Sequence, residues 1–130
     1  MKSPMEVVQA AYAAFARGDV PGMLSLMDEG VEWKFVGPKG PPYTKSCRGK
    51  AEVAQWFAAI PLADDIEVFQ PREFHSGPDS VTVIGWERTR AKPSGMVFEA
   101  DWVHVFTVQN GKVTRFWGLM DTEANAAARR

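Results

Sequence analysis

Apolar residues recur at helical spacing through the first half of the chain and alternate through much of the second. Ser3-Pro4-Met5-Glu6 predicts a helix start, with Ser3 as N-cap, Pro4 in the first helical position and Glu6 reaching back. Val8, Ala11, Tyr12 and Phe15 then fall on one face, and Gly18 ends the helix. Asp19 caps a second helix with Pro21 in its first turn. Met23, Leu24, Leu26 and Met27 form its buried stripe before Gly30 ends it. A third helix is predicted from about Gly49 to Ile60, with Val53, Trp56, Phe57 and Ile60 inward and Pro61 beyond its end.

Strands dominate elsewhere. Val31, Trp33 and Phe35 alternate with Glu32 and Lys34, predicting a half-buried strand over Val31 to Val36, followed by a Gly/Pro loop from Gly37 to Pro42. Ile66 to Phe74 is extended but contains Pro71, the mark of an edge or bulged strand. Gly77-Pro78-Asp79 turns into a strand from Ser80 to Ala91, and Pro93-Ser94-Gly95 into another from Met96 to Val108. Asn110-Gly111 is a strong hairpin signal, with Lys112 to Asp121 returning, and the Ala-rich tail from Glu123 reads as a short helical turn or a frayed end. Helices first and antiparallel strands after predict an α+β fold, with helices on one face of a curved sheet. No repeat or linker interrupts the 130 residues, so the expectation is one domain over 1–130.

The hairpins predict which side chains share a sheet face. A two-residue Asn110-Gly111 loop pairs Gln109 with Lys112, His104 with Trp117, Trp102 with Leu119 and Ala100 with Asp121. If the preceding loop is Pro93-Ser94-Gly95, Trp86 faces Trp102 and Arg88 faces Ala100; a four-residue loop would reverse that parity. The three-residue loop is preferred because it gathers Trp86, Trp102 and Trp117 on one face. Arg88 and Asp121 would then meet over Ala100, with His104 roughly 13 Å further along. The other face is also partly apolar, and one layer of helices covers one face, so the second is expected to form a homodimer interface.

Composition narrows the partners. A net charge of −1 gives no footprint for nucleic acid or an anionic membrane. The longest apolar run, Ala10 to Ala16, is far short of the ~18 residues of a membrane span, and no signal peptide is visible. Cys47 is the single cysteine, which excludes an internal disulfide and fits a reducing, cytoplasmic setting. Two histidines and one cysteine offer no metal-ligand spacing, and no phosphate-cradling glycine motif is present, so no cofactor or metal is called for. His75 reads as exposed. Five tryptophans in so short a chain point instead to an aromatic-walled cavity for an uncharged lipophilic molecule.

Several stretches resemble one family. Ala11-Tyr12-Ala13-Ala14-Phe15-Ala16-Arg17-Gly18-Asp19, Asp28-Glu29-Gly30-Val31-Glu32-Trp33, Arg48-Gly49-Lys50, Asp101-Trp102-Val103-His104-Val105-Phe106, and Gly111-Lys112-Val113 running to Asp121 are similar to the SnoaL-like branch of the nuclear-transport-factor-2-like superfamily. The resemblance implies an α+β cone: three helices closing over a curved antiparallel sheet around a deep pocket, usually in a dimer. Members include polyketide cyclases, ketosteroid isomerases, limonene-type epoxide hydrolases and dehydratases. Asp121 matches the water-activating carboxylate of the epoxide hydrolases and Glu87-Arg88 their Glu-Arg. Arg90, Trp33 and Phe35 stand where those enzymes carry an acid, a tyrosine and an asparagine, so that mechanism is not expected. Phe35 also replaces the general base of the ketosteroid isomerases. Their oxyanion-stabilising tyrosine falls about at Ala11, beside Tyr12, and their protonated aspartate falls at His104. The histidine and aspartate of the polyketide cyclases fit best, as His104 and Asp121.

The expectation is therefore a cofactor-independent enzyme of isomerase, cyclase, lyase or hydrolase type, acting on a small lipophilic carbonyl or enol. Asp121 would move a proton, His104 assist, and Arg88 position Asp121 or steady negative charge. Trp33, Trp102, Trp117, Trp86, Tyr12 and Phe35 would line the substrate. The alternatives are a non-catalytic binding module with the same pocket, and a dimeric assembly module.

Overall fold

The computed structural model describes residues 2–130. Its elements run α1 (Pro4–Ala16), α2 (Val20–Leu24), β1 (Met27–Val36), β2 (Ser46–Arg48), α3 (Lys50–Ala63), β3 (Asp64–Ser76), β4 (Ser80–Ala91), β5 (Val97–Gln109), β6 (Lys112–Met120) and α4 (Thr122–Ala128). The strands form one six-stranded sheet in the order β2-β1-β6-β5-β4-β3. The architecture is α+β as expected. The sheet is mixed, because β1 lies parallel to β6 while its other neighbours are antiparallel. Among the described residues, no helix is long and apolar enough to cross a membrane.

The helices begin where their caps place them. Ser3 and Glu6 form the reciprocal capping box, and Asp19 accepts from the Gly22 amide at 2.9 Å. The second helix stops at Leu24, well short of Gly30. The Val113 amide donates to the Leu26 carbonyl at 2.8 Å and Met27 pairs with Val113, so sheet pairing overrides the helical spacing. Pro61 lies inside α3 rather than beyond it; in the last turn it removes just one amide donor. The third strand starts at Asp64 and runs as the sheet edge, with irregularities at Ile66/Val68 and Pro71/Glu73 that absorb the proline.

Two corrections alter the faces of the sheet. The turn between β4 and β5 has four residues: Ala91 and Met96 pair, and Gly95, at φ +73°, closes the loop back onto the Ala91 carbonyl. Glu87 therefore faces Ala100 and Gly85 faces Trp102, while Trp86 and Arg88 turn outward. Between β5 and β6 the pairing starts at Gln109↔Lys112, then slips by one residue, so that Thr107 meets Arg115 and His104 meets Gly118. Strict alternation would place either Val113 or Phe116 in water; the bulge at Thr114 buries both. It also turns Trp117 outward.

The inner face now reads Val81, Val83, Gly85, Glu87, Thr89 and Ala91 on β4, and Phe98, Ala100, Trp102, His104, Phe106 and Val108 on β5, all buried. The outer face carries Ile84, Val105, Trp117 and Leu119, each more than one-third exposed. Trp117 lies under Lys34 and Arg115, and Trp86 under Arg72, at 4.6–5.1 Å from cation to ring centre.

Gly85 makes room for the ring of Trp102. A Cβ at position 85 would stand 2.2 Å from Cζ2 of that indole, which is 1% exposed and has nowhere to move. Gly85→Ala should therefore lower unfolding stability by about 2 kcal/mol or more. Urea denaturation followed by circular dichroism checks this, and an unchanged midpoint would contradict the packing.

Candidate functional site

The helices and the inner sheet face enclose a cavity of about 90 Å³, walled by apolar side chains that include Phe15, Trp33, Phe35, Trp56, Phe57 and Phe69. For scale, an engineered apolar cavity of about 150 Å³ holds a benzene. Met23, Met27 and Met120, with unbranched and flexible side chains, also line the cavity of this chain. Polar groups reach this space in two places.

The first is His104 with Tyr12. His104 stacks on Trp102 at 4.0 Å between ring centres and meets Phe116 edge-on at 4.9 Å. Burial pushes the imidazole down to about 3, so it is neutral. The Tyr12 hydroxyl lies 2.7 Å from Nδ1. Burial also raises the phenol, which stays protonated. No other acceptor meets that hydroxyl among the described residues, so it donates to Nδ1 and leaves the ring proton on Nε2. Nε2 makes no hydrogen bond among the described residues. It is a neutral N–H donor set among the rings of Trp102, Phe106 and Phe116.

The second is a pair of carboxyl groups. Glu87 is buried, and the Thr89 hydroxyl donates to it. Desolvation, reinforced by nearby Asp64, holds its pKa up at about 7. Asp64, 5% exposed, accepts from the Tyr43 hydroxyl at 2.5 Å and from Arg129 at 2.7 Å. Burial and the Asp64 carboxylate keep the Tyr43 phenol protonated. Glu87, Asp64 and Tyr43 all line the cavity together with His104 and Tyr12.

The expected site residues divide. His104, Tyr12, Trp33 and Phe35 line the cavity, while Trp102 stands behind His104 as its stacking partner. Trp33 and Trp102 each carry a buried indole N–H without a hydrogen-bond partner. Arg88, Asp121, Trp86 and Trp117 are not among the wall residues. Arg88 pairs with Glu67 at 3.1 Å on the outer face. Asp121 is exposed and caps α4 by accepting from the Ala124 amide at 3.0 Å. The Arg88–Asp121 pair does not form, since the four-residue turn moves one partner outward and the end of β6 moves the other into a helix cap. His75 is exposed and 3.5 Å from Glu73. Among the described residues, no group of three or more His, Cys, Asp or Glu side chains is placed to hold a metal ion.

With this geometry established, the comparisons fix the relationship. Residues 8–116 match the family model of the SnoaL-like domain. The chain belongs to the SnoaL-like family. An NTF2-like protein from Burkholderia xenovorans LB400 is 32% identical, superposes with a TM-score of 0.88, and aligns over 98% of this SnoaL-like chain and 95% of its own. One from Burkholderia thailandensis E264 is 26% identical with a TM-score of 0.91, over 100% and 99% of the two chains. TerC, solved in a co-crystal with polyporic acid, is 30% identical with a TM-score of 0.81 over 96% of each chain. No functionally curated protein matches the sequence.

Sequence reasoning missed Glu87, Asp64, Tyr43 and Arg129 in this SnoaL-like site. A signal for Glu87 was present. It continues the alternation of Val81, Val83 and Gly85, whereas the outward Arg88 follows Thr82, Ile84 and Trp86. The Asp64–Tyr43–Arg129 cluster joins three distant segments and leaves no local pattern.

The site sets the pH dependence of stability. Glu87 binds its proton more tightly folded than unfolded, so its contribution is full below the ordinary carboxyl value of 4.5 and is lost as pH rises through about 7. His104 acts oppositely: its contribution is present above the ordinary value of 6.5 and is lost as pH falls towards about 3. Glu87→Gln removes the first effect. The variant should exceed the parent in stability at pH 8 by on the order of 2 kcal/mol relative to their difference at pH 4. Paired urea titrations at the two pH values measure it; parallel curves would show that Glu87 is not desolvated.

Proposed function

We propose that the protein is a cofactor-independent enzyme that moves a proton on a lipophilic carbonyl or enol compound, with Glu87 as the acid/base group. One observation carries this: a desolvated carboxyl poised near neutrality and a neutral N–H donor open into the same apolar cavity. Near pH 7 both forms of Glu87 are populated. The carboxylate takes a proton from carbon, and the negative charge develops on the substrate oxygen. There His104 Nε2–H stabilises it as a hydrogen-bond donor, and Tyr12 holds the required tautomer. Glu87 then returns the proton to another carbon, which completes an isomerisation. Asp121 and Arg88, expected to do this work, are replaced in it by Glu87.

The register adds a constraint on shape. Glu87 pairs with Ala100, four residues from His104, so the two side chains leave the sheet about 13 Å apart. A molecule that meets both is elongated and conjugated, with its oxygen at one end and the acidic C–H at the other. That TerC was co-crystallised with polyporic acid supports a cavity able to take an organic acid of some size. A bicyclic conjugated enone such as an octalone tests the reaction without knowledge of the natural substrate. Deuterium uptake at its γ-carbon, followed by NMR in heavy water, should exceed the buffer rate and fall about 100-fold or more in Glu87→Gln. Exchange that is unaffected by that substitution would remove Glu87 from the mechanism.

We further propose that the outer sheet face meets a second copy of the chain. Val105 pairs with Trp117, Val103 with Leu119 and Ile84 with Val103, so the exposed apolar side chains form one continuous patch across three strands. Sedimentation equilibrium should give a dimer for the parent and a monomer for Trp117→Glu; a monomeric parent at micromolar concentration would exclude this arrangement.

A further inference from the structure

The end of the chain reaches into the carboxyl pair. Arg129, the C-cap of α4, uses Nη2 to contact Asp64 Oδ1 at 2.7 Å and the Tyr43 oxygen at 2.6 Å, while its Nε donates to Asn125 Oδ1 at 2.7 Å. Asn125 Nδ2 in turn donates to the Tyr43 oxygen at 3.2 Å. That oxygen donates once, to Asp64, and accepts twice, so its hydrogen-bonding capacity is filled. The guanidinium sits 5.8 Å from the ring centres of both Tyr43 and Phe98, and its side chain is 16% exposed. Asn125 is fully buried, and Ala128 packs with Ala91, Phe98 and Ala100, which anchors the helix that carries the arginine.

We propose that Arg129 is a positioning residue of the proton-transfer site: through Asp64 and Tyr43 it sets the electrostatic field in which Glu87 exchanges its proton. This rests on the assignment of Glu87 as the acid/base group. The alternative, a purely structural clasp, would need the arginine's hydrogen bonds but not its charge. Two carboxyl groups sharing a poorly solvated space cannot both ionise freely, and a single cation beside one of them moderates their repulsion. The charged and titratable groups that line the cavity with Glu87 are Asp64 from β3, Tyr43 from the loop after β1, His104 from β5 and Tyr12 from α1, with Arg129 behind Asp64. His104 and both tyrosines are neutral at pH 7. The field at Glu87 is therefore the balance of Asp64, which holds the proton on, and Arg129, which releases it.

Glutamate side-chain carbonyls labelled with carbon-13 report the Glu87 titration directly by NMR, with Glu87→Gln identifying its signal. The step assigned to Glu87, the uppermost glutamate step, is the quantity read. In Arg129→Gln that step should move up by about one pH unit, and in Asp64→Asn it should move down by a similar amount. The double variant should lie near the parental position, because the two opposing charges are removed together. Arg129→Lys retains the charge without the forked contacts, and should return the step to near its parental position. A structural clasp would instead lower stability in both Arg129 variants and leave the upper step unmoved, which would overturn the proposal. The deuterium-exchange assay separates the two claims. A step that moves as stated in a protein that catalyses no exchange would refute the proposed reaction while upholding the field; an unmoved step in an active protein would do the reverse.

Discussion

A β-strand presents alternate side chains to opposite faces, so one backbone position decides the fate of every residue beyond it. In this sheet two such positions matter. The four-residue turn ending at Gly95 settles which half of β4 faces the helices, and the bulge at Thr114 settles the same for β6. With both in place, Glu87 and His104 lie on the inner face, and Arg88 and Trp117 lie outside. Shifting the turn by one residue would bury the arginine and expose the glutamate. The chemistry of the cavity is thus a consequence of backbone parity before it is one of side-chain placement.

Given that parity, desolvation does the rest. The cavity wall is aromatic and aliphatic, and no cation lines it among the described residues. In such surroundings the imidazole sheds its charge and the carboxyl resists acquiring one. The same physical effect moves a base and an acid in opposite directions, and in both cases it favours the uncharged form. Hydrogen bonds refine this: Tyr12 chooses the imidazole tautomer and Thr89 satisfies one carboxyl oxygen. The outer face obeys the contrary rule, since Trp86 and Trp117 meet water under the cover of arginine and lysine.

Much of this fold is legible in local patterns. The capping box at Ser3, the Asn110-Gly111 hairpin and the proline-marked edge strand each announce an element through chemistry confined to a few residues. What was not legible depended on comparison across the chain. The preference for a three-residue turn rested on collecting tryptophans, whereas the uninterrupted small or apolar parity of Val81, Val83, Gly85 and Ala91 argued for the other register. The spacing of Val113 and Phe116, three apart and both large, likewise pointed to a bulge. For the site, His104 was legible through the hairpin register and through the family resemblance of its strand. Asp64 carries no local signal, since its partners Tyr43 and Arg129 lie 21 and 65 residues away.

The parallel pairing of β1 with β6 bears on how such a cavity comes into being. It joins residues 27–36 to residues 113–119, so the chain between them must be threaded and closed before that ladder can form. Closing a loop of this length carries an entropy cost that the ladder's own contacts must offset. Trp33 and Phe35 enter the wall with β1, and Phe116 enters with β6. A folding intermediate lacking this one ladder could keep the β3–β4–β5 meander and both polar groups, yet it would have no enclosed space and no desolvation. The acid and the donor would titrate as ordinary side chains. The desolvation of Glu87 and His104 is therefore a property of the completed sheet and not of the meander alone.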